Sequence, residues 1–253
     1  YANNLSIPVL QKNNISDSKF IETIRAYNAE LFIVADYKII PKNIFSIPKY
    51  GSINIHPSIL PKYRGAAPIH RSIMNGEDSI GVSTFIINQN IDSGKIISQK
   101  KIKFNDKIIY EDLFNKLSIL GGELLLHSID ILESNKLPNI ISNDNVSYAK
   151  KIKKNEYKIN FKESALVNHN KIRALNYKGA YAKFNNCRVK FFETYFNLEY
   201  NDLSNGEFIL HDNDILIGTG RGALIVKRVQ LESKHKITAK EFYNSNYLKG
   251  KFE

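Results

Sequence analysis

Three polar side chains in the first half of the sequence have the types and spacing that acyl transfer needs. Asn54 and His56 stand two residues apart in "GSINIHPSILPKYRG", so they point the same way on an extended strand. Asp92 lies in "QNIDSG", a predicted turn from which it can approach His56 if the flanking strands end at the same sheet edge. An amide and an imidazole can stabilise an oxyanion, and an imidazole held by a carboxylate can also move a proton. The alternative is that Asn54 caps a loop and Asp92 only forms a turn.

The elements around these residues predict an α/β unit. Strands are predicted from apolar runs at Ile7–Leu10, Glu30–Ala35, Tyr50–Ile55, Gly81–Asn88 and Lys95–Ile102. Helices are predicted after a cap at Ser16 or Asp17, in "GAAPIHRSIMNG" and across "YEDLFNKLSILGGELLLHSIDILES", the last as one helix or a Gly-interrupted pair. This alternation favours a largely parallel sheet, in which ligands bind at the carboxyl ends of strands. Asn54 and His56 lie at such an end.

The pattern changes after a polar, Pro-containing linker near "SNKLPNIISNDN". A short helix is predicted in "SALVNHNKIRAL", followed by closely spaced strands joined by Asn- and Gly-rich turns. This predicts a small antiparallel β-barrel of OB-like type. The expected division is a catalytic domain at 1–142, a linker at 143–155 and a barrel at 156–253. His169, in a polar stretch, is predicted to be at the surface.

Composition limits the possible classes of protein. The chain has 253 residues and no run of 18 apolar residues, so no membrane span is expected. Cys187 is the only cysteine, which excludes a disulfide framework and a multi-cysteine zinc or iron–sulfur site. We therefore expect no metal, and a reducing location such as the cytoplasm or an organellar matrix.

The positive charge is concentrated in the second half. The formal net charge is +11, of which residues 150–253 carry +9, with 20 Lys and Arg against 11 Asp and Glu. A basic half beside a nearly neutral half indicates a polyanionic partner such as nucleic acid. The alternative is that the charge reflects the Lys-, Asn- and Ile-rich composition of the whole chain.

The stretch "NIHPSILPKYRGAAPIHRSIMNGEDSIGVSTFIINQNIDSGKII" resembles the signature region of the 10-formyltetrahydrofolate-dependent formyltransferases. The resemblance extends from Tyr1 through the predicted barrel and includes "YAKKIKKNEYKINF", which is similar to the start of the family's second domain. It implies a Rossmann-like formyltransferase domain followed by the barrel. It also implies that 10-formyltetrahydrofolate is the formyl donor.

The resemblance implies a role for individual residues. Asn54 and His56 would polarise the formyl carbonyl, and Asp92 would orient His56 and help to relay the proton lost by the attacking amine. The implied folate-side residues are Ile39, Ile40, Pro41, Ser58, Leu60, Pro61 and Ile87, of which Ser58, Leu60 and Pro61 would hold the signature loop in shape. From the charge of the second half, we expect contacts with the RNA backbone from the lysines just past the linker, Lys150, Lys151, Lys153 and Lys154, for which a solvated charged run is the alternative.

Two features depart from the family pattern. The sequence begins with Tyr1, and the βα units that normally come first in the family are absent, so we expect a fragment; the alternative is a reduced protein with impaired catalysis. Asp36 and Lys38 stand where a more apolar or glycine-bearing pattern is expected on the folate side.

The acceptor implied by the resemblance is the α-amine of methionine esterified to initiator tRNA, and we expect a monomer. Glycinamide ribonucleotide formyltransferases share the trio but lack a second β domain. Nucleotide-sugar N-formyltransferases can carry such a domain, but their acceptor needs no broad basic surface. A non-catalytic RNA-binding remnant is the alternative from a different class.

Overall fold

The computed structural model describes residues 1–35, 39–134, 145–245 and 251–253. The helices of the first region are α1 (Ser18–Ala26), α2 (Lys42–Phe45), α3 (Pro68–Met74) and α4 (Tyr110–Glu133). Its strands are β1 (Phe32–Ala35), β2 (Ser52–His56), β3 (Ser79–Ile86) and β4 (Ile96–Lys103). The second region contains α5 (Ala165–Ala174), β5 (Ala180–Phe184), β6 (Cys187–Asn197), β7 (Phe208–His211), β8 (Asp214–Gly218), β9 (Ala223–Leu231), β10 (Lys236–Thr238) and α6 (Ala239–Asn244).

The sheet of the first region has the strand order β1-β2-β3-β4. Only β1 and β2 are parallel; β2–β3 and β3–β4 are antiparallel, so the prediction of a largely parallel sheet is wrong for the described residues. The length of the connection explains why β3 and β4 are antiparallel. A parallel pair needs a crossover of a dozen or more residues, whereas the short loop 87–95 returns the chain beside itself.

The two apolar runs at the start of the chain differ from their predictions. The run Ile7–Leu10 is not a strand: it follows a short 3₁₀ helix, and the side chains of Ile7, Val9 and Leu10 are about half exposed. β1 forms, but it is not buried, because it lies at the edge of the described sheet and its burial alternates between intermediate and exposed. A strand pattern read from apolar residues alone does not reveal whether a neighbour covers them.

α4 covers one face of the sheet, and the polar residues of β2 lie on the other face. The helix runs unbroken through Gly121 and Gly122 and buries the leucines Leu113, Leu117, Leu120 and Leu124. Each such burial stabilises the fold by roughly 1.5–3 kcal/mol. A Cβ at Gly121 would lie 3.1 Å from Ile55, so Ile55 faces the helix. Because side chains alternate along a strand, Asn54 and His56 lie on the opposite face.

The second region is an antiparallel sheet with the order β5-β6-β9-β8-β7, and β10 pairs with β9. Residues 252 and 253 join the two ends of this order. Glu253 and Lys183 of β5 exchange backbone hydrogen bonds of 2.9 and 3.1 Å, and the N–H of Phe252 donates to Gly206, just before β7, at 2.9 Å. The sheet therefore closes on itself, as a barrel does.

α5 fastens the second region to the first. Arg173 is buried and donates to the backbone oxygens of Ile73 and Ile108 in the first region at 3.4 and 3.3 Å. His169 bonds to Thr194 at 2.9 Å and to the backbone oxygen of Asp106 at 2.8 Å. It is 4 % exposed, so its predicted surface position is wrong. A helix with polar side chains can be buried between two regions when those side chains form hydrogen bonds with both of them.

In the part of the chain that the structure describes, no helix combines the length and apolar character needed to cross a membrane.

Candidate active site

The end of β2 places Asn54 and His56 on the sheet face opposite α4. In the register with β3, Asn54 is paired with Phe85 and His56 with Ser83, so these four side chains share one face. His56 is 5 % exposed, whereas Asn54 is partly exposed. Among the described residues the Asn54 side chain has no hydrogen-bond partner, which leaves its N–H₂ group available to a ligand.

The two ring nitrogens of His56 face different groups. Nε2 lies 2.9 Å from the backbone oxygen of Tyr63, and Nδ1 lies 3.7 Å from Oδ2 of Asp92. A carbonyl oxygen only accepts, so Nε2 must carry the hydrogen. The neutral ring therefore presents an unprotonated Nδ1 towards Asp92. A proton taken up at Nδ1 would be stabilised by the carboxylate, which suits the pair to hold a proton during a transfer.

Asp92 is held by the same loop that holds His56. Its Oδ2 accepts a hydrogen bond of 2.7 Å from the backbone N–H of Gly65. Gly65 has φ +114°, and a Cβ there would lie 3.0 Å from the backbone oxygen of Ala149, so a larger residue would be strained and crowded. The loop 87–95 thus brings Asp92 to within 3.7 Å of His56, the approach that the sequence made conditional on a shared sheet edge.

Tyr63 is a supporting residue that the sequence analysis did not single out. Its φ of +59° turns its backbone oxygen towards His56. Its hydroxyl donates to Glu77 at 2.6 Å and accepts from Asn75 at 3.0 Å. Burial and the hydrogen bond to Glu77 raise the pKa of Tyr63 to about 12, so the phenol stays neutral and keeps donating. The feature of the sequence that could have indicated its role is a bulky residue directly before Arg-Gly in a predicted turn.

The signature loop (residues 57–67) is fixed from inside by side chains of β3 and β4. Ser83 donates to the backbone oxygen of Ser58 at 2.6 Å and accepts from the N–H of Leu60 at 3.1 Å. Gln99 donates to Ser83 at 2.7 Å and to the oxygen of Leu60 at 3.0 Å. The Leu60–Pro61 peptide bond is cis. Ser58 and Leu60 are buried, so they lie where a residue that shapes the loop would lie.

The other folate-side residues flank the same edge and face. β1 and β2 are parallel, so both end at the edge where His56 lies, and the segment with Ile39, Ile40 and Pro41 follows β1. Ile39 is 78 % exposed. Ile87 packs against the cluster of Leu60 and Phe85, on the face that carries Asn54. Asp36 and Lys38 lie outside the described residues.

No group of three His, Cys, Asp or Glu residues that could hold a metal is found in the described ranges.

The lysine segment (residues 150–154) begins beside the signature loop. The strand-like residues 147–149 pair with the loop: Arg64 N–H donates to Ser147 O at 2.9 Å, and Ala149 N–H donates to Arg64 O at 2.7 Å. Arg71 of α3 then donates to the backbone oxygens of Lys150 and Lys151 at 3.0 and 3.5 Å. The four predicted contact residues Lys150, Lys151, Lys153 and Lys154 are all exposed. The backbone of this segment thus starts beside the signature loop, and Lys154 at its other end lines a groove on the barrel.

A second basic feature, which the sequence analysis did not localise, lies on the barrel. The barrel groove, of about 580 Å³, is lined by Lys154, Tyr157, Tyr177, Lys178, Gly179, Tyr181, Arg188, Lys190, Phe192, Gln230 and Lys236. Tyr181, Lys190, Gln230 and Lys236 form one row across four adjacent strands. The Arg188 guanidinium lies 4.2 Å from the ring centre of Tyr181. No acidic side chain lines this groove among the described residues, which suits phosphate groups.

Comparisons with known sequences identify the family of both regions. Residues 2–129 match the family described as formyl transferase, and residues 151–247 match its C-terminal domain. The chain belongs to the formyl transferase family. This formyltransferase is 40% identical over 244 residues to the methionyl-tRNA formyltransferase of Thermodesulfovibrio yellowstonii, an alignment that spans 96% of this chain and 79% of that one. The predicted family and fold class are thereby confirmed.

Solved structures are also similar to this formyltransferase. The methionyl-tRNA formyltransferase from Clostridium thermocellum matches with a TM-score of 0.60 over 85% of this chain and 87% of that chain, at 19% identity, which supports the fold alone. The N-formyltransferase from Helicobacter canadensis, in complex with folinic acid and dTDP-3-aminofucose, matches with a TM-score of 0.69 at 26% identity, over 89% of this chain and 80% of that chain. The chain is thus a member of a family of one-carbon transferases.

Proposed function

We propose that this chain transfers the formyl group of 10-formyltetrahydrofolate to the α-amine of methionine esterified to initiator tRNA. The observation that carries the proposal is the pairing of His56 with Asp92 beside the amide of Asn54. It is supported by similarity over 96% of the chain to a protein named methionyl-tRNA formyltransferase.

In this proposal the chemistry is divided between the three residues. The unprotonated amine attacks the formyl carbon, and a C–N bond forms while the carbonyl oxygen takes up negative charge. Because Nε2 of His56 is engaged by Tyr63, the N–H₂ of Asn54 is the donor available to that oxygen. Nδ1 of His56 takes the proton of the amine, stabilised by Asp92. The bond from the formyl carbon to N10 of the donor then breaks, and N10 receives the proton.

The donor would lie along the sheet face that carries Asn54. The partly exposed Ile87, which packs on the buried Leu60 and Phe85, offers an apolar surface there, and Ile40 and Pro41 stand at the same edge. A folate ring system is flat and largely apolar in its surface, with polar edges, so it suits such a wall. The folinic acid in the Helicobacter canadensis structure is a folate of the same class.

The acceptor would be held by the lysine segment and the barrel groove. Both are basic and lie on the same side of the junction, because Lys154 belongs to both and Tyr177 of the groove contacts His70 of α3. We retain the division into a catalytic domain at 1–142, a linker at 143–155 and a barrel at 156–253 as part of this proposal. A second candidate acceptor is an amino sugar on a nucleotide, favoured by the likeness to the Helicobacter canadensis enzyme.

The test is formyl transfer from 10-formyltetrahydrofolate by the 253-residue chain, offered either methionyl-tRNA or dTDP-3-aminofucose, with His56→Ala as the control. Transfer to methionyl-tRNA that disappears in the variant supports the proposal. Transfer only to the sugar nucleotide supports the second candidate. Salt-dependent tRNA binding without transfer to either acceptor would instead support an RNA-binding role without catalysis.

A further inference from the structure

Arg64 is a buried cation that has no counter-ion among the described residues. The residue is only 6 % exposed, yet its Nε and Nη2 atoms have no hydrogen-bond partner in the part of the chain that the structure describes. None of the ion pairs among the described residues includes it. An Arg side chain cannot shed its charge in a protein, so this guanidinium stays positive. Burying a charge without a partner is costly, and such a group is retained where a ligand completes it.

The position of Arg64 links it to catalysis. The residue before it, Tyr63, supplies the oxygen that binds His56, and the residue after it, Gly65, supplies the N–H that binds Asp92. Its own backbone N–H and oxygen are bonded to Ser147 and Ala149 at 2.9 and 2.7 Å. The Arg64 backbone is therefore fixed at the centre of the loop that orients the proton-transfer pair.

We propose that Arg64 binds an oxyanion group of a substrate, a phosphate or a carboxylate, next to the site of formyl transfer. A guanidinium presents its nitrogens as a planar fork that matches both groups. The proposal rests on the proposed function, because that reaction brings two such groups to the site: the 3′-terminal phosphodiester of the aminoacyl-tRNA and the glutamate carboxylates of the folate.

The first test does not depend on activity. The wild type, Arg64→Met and the exposed control Arg221→Met are melted in inorganic phosphate or in chloride of equal ionic strength. We expect Arg64→Met to melt no lower than the wild type in chloride, because an unpaired buried charge has been replaced by an apolar chain of similar length. We also expect phosphate to raise the Tm of the wild type and of Arg221→Met more than that of Arg64→Met. A variant that melts well below the wild type in chloride, or that responds to phosphate equally, overturns the proposal.

The second test identifies the source of the oxyanion. If the wild type forms formylmethionyl-tRNA, a KM for methionyl-tRNA at least tenfold higher in Arg64→Met, with the folate KM unchanged, assigns the phosphodiester. A higher KM for the folate with an unchanged KM for methionyl-tRNA assigns the carboxylate. In either case Arg64→Lys should restore part of the lost affinity. Two unchanged KM values overturn the proposal. An inactive wild type counts against the proposed function alone, and the phosphate melts then decide for Arg64.

Discussion

Nε2 of His56 donates a hydrogen bond of 2.9 Å to the backbone oxygen of Tyr63, seven residues further along the chain. This contact selects the tautomer of the imidazole and places the free lone pair on the nitrogen nearest Asp92, at 3.7 Å. The catalytic use of a histidine depends on which nitrogen is free. Here the choice is made by a loop carbonyl, which is in turn held by the buried phenol of Tyr63.

Asn54→Ala should lower kcat by about 10²–10³, the usual cost of losing one oxyanion donor. The Tm should change little, because the Asn54 amide has no hydrogen-bond partner among the described residues. Formyl-transfer kinetics and thermal melts check both. Asn176→Ala is the matched control: its Nδ2 donates to the backbone oxygen of Phe192 at 2.6 Å, so it should lower the Tm and spare kcat. An active, destabilised Asn54→Ala would contradict the assigned role.

Tyr63→Phe should lower the free energy of unfolding by about 1–3 kcal/mol, because it leaves Glu77 and Asn75 without the phenol that bonds to both. It should also lower kcat several-fold at unchanged KM, since the loop carbonyl then holds His56 less firmly. Denaturant unfolding and steady-state kinetics measure the two effects. Tyr157→Phe removes a more exposed hydroxyl contact, with Tyr177 at 2.8 Å, and should leave kcat as it is. Equal kcat values for both variants would separate Tyr63 from catalysis.

Arg71→Ala should weaken tRNA binding without changing its salt dependence. Arg71 pairs with Glu156 at 2.6 Å and bonds to the backbone of Lys150 and Lys151, so it orders the lysine segment without needing to touch phosphate. Lys151→Ala, by comparison, removes a proposed phosphate contact and should reduce the slope of log K against log salt by about 1. Binding isotherms at several salt concentrations distinguish the two variants. A reduced slope in Arg71→Ala would mean that Arg71 contacts the RNA directly.

Lys190→Glu combined with Lys236→Glu should weaken tRNA binding at least tenfold at low salt, because both lysines lie in the row across the barrel groove. Lys227→Glu combined with Lys240→Glu is the matched control. It makes the same change of charge at a separate depression on the barrel that Glu193 and Asp214 also line. Equal losses of tRNA affinity in the two double variants would show that binding responds to the net charge of the protein and not to the groove.

His70→Phe should make the free energy of unfolding less dependent on pH between 6.5 and 4. Burial, with Arg71 and Lys178 nearby, lowers the pKa of His70 from 6.5 to about 4. The unfolded chain therefore binds a proton here as the pH falls through 6.5, whereas the folded chain does so only near 4. Stability is lost across that window and the loss ends below it. Phe should keep the stack on Tyr110, whose ring centre lies 4.0 Å away.

The measurement is denaturant unfolding of wild type and variant at pH 7, 5.5 and 4.5, with the exposed His127→Gln as the control. The control should follow the wild type. If His70→Phe also follows the wild type, His70 is not a source of the acid sensitivity.

The shared orientation of Asn54 and His56 was predictable because they stand two residues apart on one strand, whereas the approach of Asp92, 36 residues after His56, was conditional on a shared sheet edge. The sequence could not predict Tyr63 as the partner of His56, because that contact depends on a positive φ and on Asn75 and Glu77 beyond the loop. The burial of His169 was also hidden, since its partners Asp106 and Thr194 lie 63 and 25 residues away. The strands of the barrel were predictable from their turns, whereas the row of the groove depends on register between strands.

Phe252 lies at the centre of the barrel, 3 % exposed, with its ring 5.2 Å from those of Phe184 and Phe208. Its backbone joins β5 to the start of β7, so the seam of the barrel closes only when residues 252 and 253 are in place. During synthesis these residues leave the ribosome after all the strands of the barrel. Until then the nascent barrel keeps an open edge and unburied aromatic rings, which are the features that chaperones bind and that promote aggregation.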